Sequence, residues 1–238
     1  MKIYWVTLTR YCDWYQSKRD VPKEMIYKIE EANLIGKKKW IRKGVDNYKD
    51  LPYKMGMLED YLNHQNKKEE TFLLTVGGET PISWELSLGM FPYIKEKEQV
   101  RGFNTLQVSF ETPKNIEALI ATFKTVNQGN KTEFASIHPY ERWEDLSDTL
   151  FGEYGEPITF KPALSGVFWV TIIGPGHLQL FDIEKLKKIK AYEIEWLNNE
   201  TLFIRVCEHI NDVIQPKMEQ EMFRITEELK KALKSNQM

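Results

Sequence analysis

Cysteine is almost missing from this sequence. Cys12 and Cys207 are the only two in 238 residues, far apart and outside any CxxC spacing. No disulfide framework or zinc site follows from them. Long apolar runs are missing as well: none approaches the roughly 20 residues that a helix needs to cross a bilayer. The opening stretch MKIYWVTLTRYCDWYQ lacks the basic region, apolar core and small-residue cleavage site of a signal peptide. A cytoplasmic protein with no membrane partner is therefore expected. Charge of one sign is not in excess either. Lys and Arg number 33 against 35 Asp and Glu, a net charge of -2. Attraction to nucleic acid or to an anionic membrane would have to come from a local patch.

Catalytic signatures are lacking too. There is no GxSxG elbow, and no SxxK, GxGxxG or kinase set. The four histidines, His64, His138, His177 and His209, fall in no HExxH, HxH or other ligand spacing. No metal and no cofactor is expected. His138 precedes Pro139 at a strand end, and His209 follows Cys207 near another.

What is present is core material. Hydrophobic residues make up 42% and aromatics 13% of the chain, too much for disorder. KIYWVTLT is rich in β-formers and predicts a first strand. Pro22 fits the first turn of a helix with Met25, Ile26 and Ile29 on one face. TFLLTV ends at Gly77-Gly78, a hairpin signal. PISWELSLG and NTLQVSFE alternate, placing Trp84, Leu86, Leu88, Leu106, Val108 and Phe110 inward. Pro113 opens a helix carrying Ile116, Leu119, Ile120 and Phe123. Val167 to Ile173 has no charged residue, as expected of a strand buried on both faces. A short helix follows around Ile183 to Ile189. YEIEWLNNETLFIRV reads as two strands joined at Asn198-Asn199, adding Ile194 and Trp196 to the expected core beside Trp169 and Ile173. A last helix bears Met218, Met222, Ile225, Leu229 and Leu233 on one stripe. The fold class is α+β, with mainly antiparallel sheets and helices packed on one side. The element order suggests two split β-α-β, ferredoxin-like halves, 1–127 and 163–238, joined by 128–162 within a single domain of 1–238.

Three stretches invite a functional reading. Gly174-Pro175-Gly176-His177 ends an apolar run. Pro175 removes a backbone N–H and no Lys, Ser or Thr sits at a phosphate-loop offset, so the stretch reads as a turn after a buried strand, its glycines supplying unusual dihedrals. Lys37 to Lys43, KKKWIRK, sets five basic residues around Trp40; it reads as a solvated surface loop, with single-stranded nucleic-acid contact as the alternative. Glu141 to Glu156 holds six carboxylates against Arg142 alone. Glu141, Glu144, Asp145, Asp148 and Glu153 there alternate with Trp143, Phe151 and Tyr154. This is either a polar connection or a docking surface for a basic protein, with aromatic anchors and steering carboxylates.

The order of these pieces resembles the bacterial immunity protein 52 family of polymorphic toxin systems. The resemblance rests on YWVTLTR before a helix, KWIRKGVDNYKDLPYKMGMLEDYL, PISWELSLG, FNTLQVSFE, SGVFWVTIIG and the closing IEWLNNETLFIRVCEHI. Related type VI secretion immunity proteins share a similar Gly-Trp strand and hairpin. The closing hairpin of the family often carries glycines, where this sequence has Asn198-Asn199-Glu200; an asparagine at positive φ would fill that role. The resemblance implies a non-enzymatic protein that binds one cognate toxin, often a nuclease, and occludes it. The alternatives are a small hydrolase using His177 or His138 with a nearby carboxylate, and a nucleic-acid binder using Lys37 to Lys43.

Overall fold

The computed structural model describes residues 5–13, 21–44, 49–60, 72–79, 83–95, 99–111, 115–128, 132–139 and 166–234. The chain is α+β, and its residues group into two units, Leu8–Thr132 and Met1–Thr7 with Glu133–Met238.

The first unit contains most of β1 (Trp5–Asp13), then α1 (Val21–Glu31), β2 (Trp40–Lys43), the two-residue β3 (Leu51–Pro52), β4 (Phe72–Gly78), β5 (Trp84–Lys95), β6 (Gln99–Glu111) and α2 (Ile116–Gln128). The strands lie in the order β3-β2-β4-β5-β6-β1. β4, β5 and β6 form an antiparallel meander. Two strands therefore separate β4 from β1, so this unit is a meander rather than a split β-α-β. Helix α1 ends as its sequence dictates. Asn33 takes φ 54°, its N–H bonds to Glu30 O, and the N–H of Leu34 reaches Ile29 O at 3.2 Å. That is a Schellman cap, with Ile29 and Leu34 both buried beside it. Helix α2 starts behind Asn115, whose side chain accepts from the N–H of Ala118 at 3.0 Å. It buries Leu119, Ile120, Phe123 and Val126. Pro113 lies outside the described residues.

Gly77-Gly78 does not make the hairpin turn. Both glycines sit within β4, opposite Glu85 and Trp84 of β5. A Cβ on Gly77 would overlap the indole of Trp40, and one on Gly78 would come within 2.8 Å of Trp84 Nε1. Gly77 leaves room for the Trp40 indole, and Gly78 for the Lys37 carbonyl oxygen, 2.5 Å from where its Cβ would lie, as well as for Trp84. KKKWIRK is irregular chain only over Lys37 to Lys39. Trp40 to Lys43 is β2, hydrogen-bonded between β3 and β4, with Ile41 fully buried.

The second unit holds β7 (Thr132–Pro139, all but its first residue), β8 (Val170–Ile173), α3 (Pro175–Leu178), α4 (Ile183–Leu186), β9 (Glu193–Asn198), β10 (Thr201–Arg205), a 3-10 turn at Ile210–Asp212 and α5 (Pro216–Ala232). β7 falls inside the stretch read from sequence as a connection. Strand order is β7-β8-β10-β9. β8 and β9 are each antiparallel to β10 and so parallel to each other, the split β-α-β arrangement expected here. All four residues of β8 are buried, as their charge-free sequence predicts. Asp182 caps α4 by accepting from the N–H groups of Glu184 and Lys185. α5 buries Met222, Ile225, Leu229 and Ala232.

Trp84, Leu86, Trp169 and Ile173 are buried as expected. The side chain of Leu88 is not among those described. Ile194 and Trp196 are only half-buried. β9 lies at the end of the described strand order, so the apolar face of this strand is less covered than that of β8.

Candidate functional site

Of the stretches singled out by sequence, Glu141 to Glu156 lies outside the described residues, and with it Glu141, Trp143, Glu144, Asp145, Asp148, Phe151, Glu153 and Tyr154. The other two are placed.

Gly174-Pro175-Gly176-His177 is the start of a single helical turn. Gly174 caps it at φ −91°, ψ −178°, extended backbone open to any residue, and Pro175 takes the first helical position. No unusual glycine dihedral is needed at Gly174. His177 is buried, and so is His138, whose ring packs edge-on against Phe168 at 5.1 Å. His209 is exposed. Among the described residues, no three His, Cys, Asp or Glu side chains cluster with metal-binding geometry, and no helix is long and apolar enough to span a membrane.

In the basic stretch, acids neutralise three of the five cations: Lys38 pairs with Glu30, Lys39 with Glu79, and Arg42 with Asp50 at 2.8 Å. The Arg42 guanidinium also lies over the Trp40 ring at 5.2 Å.

A polar cluster in the second unit carries no signature in the sequence. Arg205 ends β10 and is almost fully buried. Its guanidinium lies over two aromatic rings, Trp169 at 5.6 Å and Tyr192 at 5.3 Å. Its Nε donates to Cys207 O at 3.2 Å, and one terminal nitrogen donates to Glu208 O. The Glu193 carboxylate is 3.7 Å away. A buried guanidinium is tolerable only when its charge and donors are met in this way. Trp169 Nε1 donates to the same Cys207 carbonyl at 2.9 Å. Cys207 itself is a free, buried thiol with its pKa pushed up to about 11, first by burial and then by the Asp212 carboxylate. It is therefore held in the unreactive form.

Toward the opposite end of the β9-β10 hairpin, in the same unit, Leu178, Phe181, Ile183, Trp196, Glu200 and Lys234 are among the residues that line a shallow cleft of about 300 Å³. The hairpin turn at its mouth is closed by Asn198, whose side-chain oxygen accepts from the N–H of Glu200 at 3.0 Å. Asn33 is the residue other than glycine with positive φ among those described. The expected positive-φ asparagine in this hairpin is thus replaced by an Asx turn. His177 does not line the cleft.

Against solved structures, a likeness emerges at this point. The fold resembles that of a T6SS protein. Pseudomonas aeruginosa T6SS protein PA0821 matches with a TM-score of 0.60 over 94% of this chain and 72% of that one, at 9% sequence identity. At that identity the likeness is one of fold. No family model matches the chain, and no curated protein matches it significantly.

Proposed function

We propose that this protein is an immunity protein, acting in the cytoplasm, that binds a cognate bacterial toxin and occludes it without catalysis. The observation that carries the reading is the fold likeness to a T6SS protein over nearly the whole chain. It coincides with an order of sequence motifs resembling the immunity protein 52 family, an independent feature of the chain. The acidic stretch from Glu141 to Glu156 is the toxin contact in this reading. Trp143, Phe151 and Tyr154 are its anchors. Its carboxylates oppose the basic, phosphate-holding surface of a toxin that is a nuclease.

The test uses the toxin domain encoded beside this protein. It is expressed in a susceptible host with and without this chain, and the two purified proteins are mixed and followed by size-exclusion chromatography and calorimetry. Protection together with a stable one-to-one complex supports the proposal. A folded protein that gives neither protection nor a complex at micromolar concentration overturns it.

A further inference from the structure

We infer that Gln179 to Lys185 and the end of α5 form a two-sided latch, which opens as one unit and takes a wall of the cleft with it. The inference stands apart from the immunity reading. An α-helix leaves its last four carbonyls without partners inside itself. At the end of α5, Leu233 leaves the helix at φ −59°, ψ 144°, so no left-handed residue turns the chain back to cap them. The caps come from another segment instead. The carbonyl of Ala232 accepts from the N–H of Asp182 at 2.8 Å, and that of Lys231 accepts from Lys185 Nζ at 3.2 Å. An ammonium group at a helix C-terminus also opposes the negative end of the helix dipole.

Bonds run the other way as well. The N–H of Lys234 donates to Leu180 O at 3.0 Å, and Lys234 Nζ donates to Gln179 O at 2.7 Å. Phe181 and Leu233 thereby face each other as a single antiparallel bridge. Asp182 joins the two directions. Its side chain caps α4, which carries Lys185, while its own N–H closes α5. Each segment satisfies polar groups of the other, so releasing one side breaks the bonds of both. Leu178, Gln179, Phe181 and Ile183 on one side and Lys234 on the other line the cleft. Lys185 and Lys234 are exposed, whereas every residue of β8 and β10 is buried. Such a strap, held at the surface, opens ahead of the strands beneath it.

The experiment measures amide hydrogen-exchange protection by NMR on the full chain, in water and at low urea, with urea unfolding of every variant alongside. In the wild type, the amides of residues 182 and 234 share one opening equilibrium and are less protected than those of β8 and β10. The amides of Leu180 and Phe181, on the cleft wall, follow them. Lys185→Met and Lys234→Met each delete one ammonium and keep most of the stem. Each is expected to lower protection about fivefold at positions 182 and 234 alike. Lys217→Met, at the opposite end of α5, leaves both positions unchanged. A Lys185→Met effect confined to position 182, or a Lys234→Met effect confined to position 234, overturns the single latch. So does a pair of variants that alter neither position. Wild-type protection at 182 and 234 equal to that of β8 and β10 overturns the local opening, because both amides would then exchange only through global unfolding.

Discussion

The indole N–H of Trp169 and the N–H of Arg205 Nε converge on one acceptor, the backbone carbonyl of Cys207, at 2.9 and 3.2 Å. Trp169 precedes β8 and Arg205 ends β10, so this shared carbonyl ties the two central strands of the unit to the chain leaving them. Trp169 is fully buried. Trp169→Ala is expected to destabilise by about 3–5 kcal/mol, the range for losing a large core aromatic. Trp169→Phe keeps most of the apolar contact and loses the N–H, with an expected cost of about 1–2 kcal/mol. Urea unfolding of the two variants checks the ordering. Equal costs would mean that the apolar contact of the ring adds nothing beyond the lost N–H bond to the Cys207 carbonyl.

Gly77 and Trp40 give a second, coupled prediction. Because a Cβ at Gly77 would overlap the Trp40 indole, Gly77→Ala has to displace the ring. The expected cost is about 1–3 kcal/mol, as for overpacking elsewhere. In a Trp40→Ala background the same change has space to fill and should cost little. A double-mutant cycle measures the difference directly. Additive effects would show that the glycine is there for another reason.

The limits of sequence reading in this chain are physical. The α5 stripe of Met222, Ile225 and Leu229 and the charge-free β8 are legible because their periodicity is a local property. Gly77-Gly78 signals the β4-β5 hairpin but not the place of its turn, because a diglycine in a hairpin loop and one under an indole look alike locally; Trp40, far earlier in the chain, decides between them. KKKWIRK is misread in its second half for a similar reason, since Trp40–Lys43 becomes a strand by pairing with β3 and β4, which lie elsewhere in the chain. Arg205 gives no signal because an arginine at the end of an alternating strand usually marks the wet face. The partners that permit its burial come from separate segments, at Trp169, Tyr192 and Glu193.

Cys207 supplies a pH prediction. Its folded pKa, about 11, stands above the roughly 8.5 of an unfolded cysteine. Folding therefore favours the neutral thiol. The stability contributed is fully present below the unfolded value and is lost as pH rises from there through the folded value. At pH 9 the native thiol should resist iodoacetamide, while denatured protein alkylates readily at the same pH. Site-resolved mass spectrometry separates Cys207 from Cys12. A Cys207→Ala variant should also lose less stability than wild type between neutral and alkaline pH. Rapid native alkylation at Cys207 would contradict this burial.

The acid limb belongs to Glu221. Its carboxylate accepts from Arg224 Nη2 at 2.6 Å and from Nε at 2.8 Å. This bond, aided by the guanidinium charge, holds its pKa below the usual glutamate value. The stability contributed is present above the unfolded pKa of about 4.3 and is lost as pH falls through the folded one. Glu221→Gln should flatten the stability profile in that acid window and change little near neutrality.

Charge reversal of Glu144, Asp145 and Asp148 together tests the acidic contact proposed for the toxin. Three carboxylates become three ammonium groups, so attraction toward a basic surface turns to repulsion. Association should slow markedly at low salt and recover in part at moderate salt, because screening weakens both signs of interaction. Replacing Trp143, Phe151 or Tyr154 by alanine should act differently. Losing an anchor speeds dissociation, costs about 2 kcal/mol or more, and depends little on salt. Stopped-flow mixing resolves the two rates. If the triple reversal leaves both unchanged at either salt, the toxin does not dock on Glu141–Glu156.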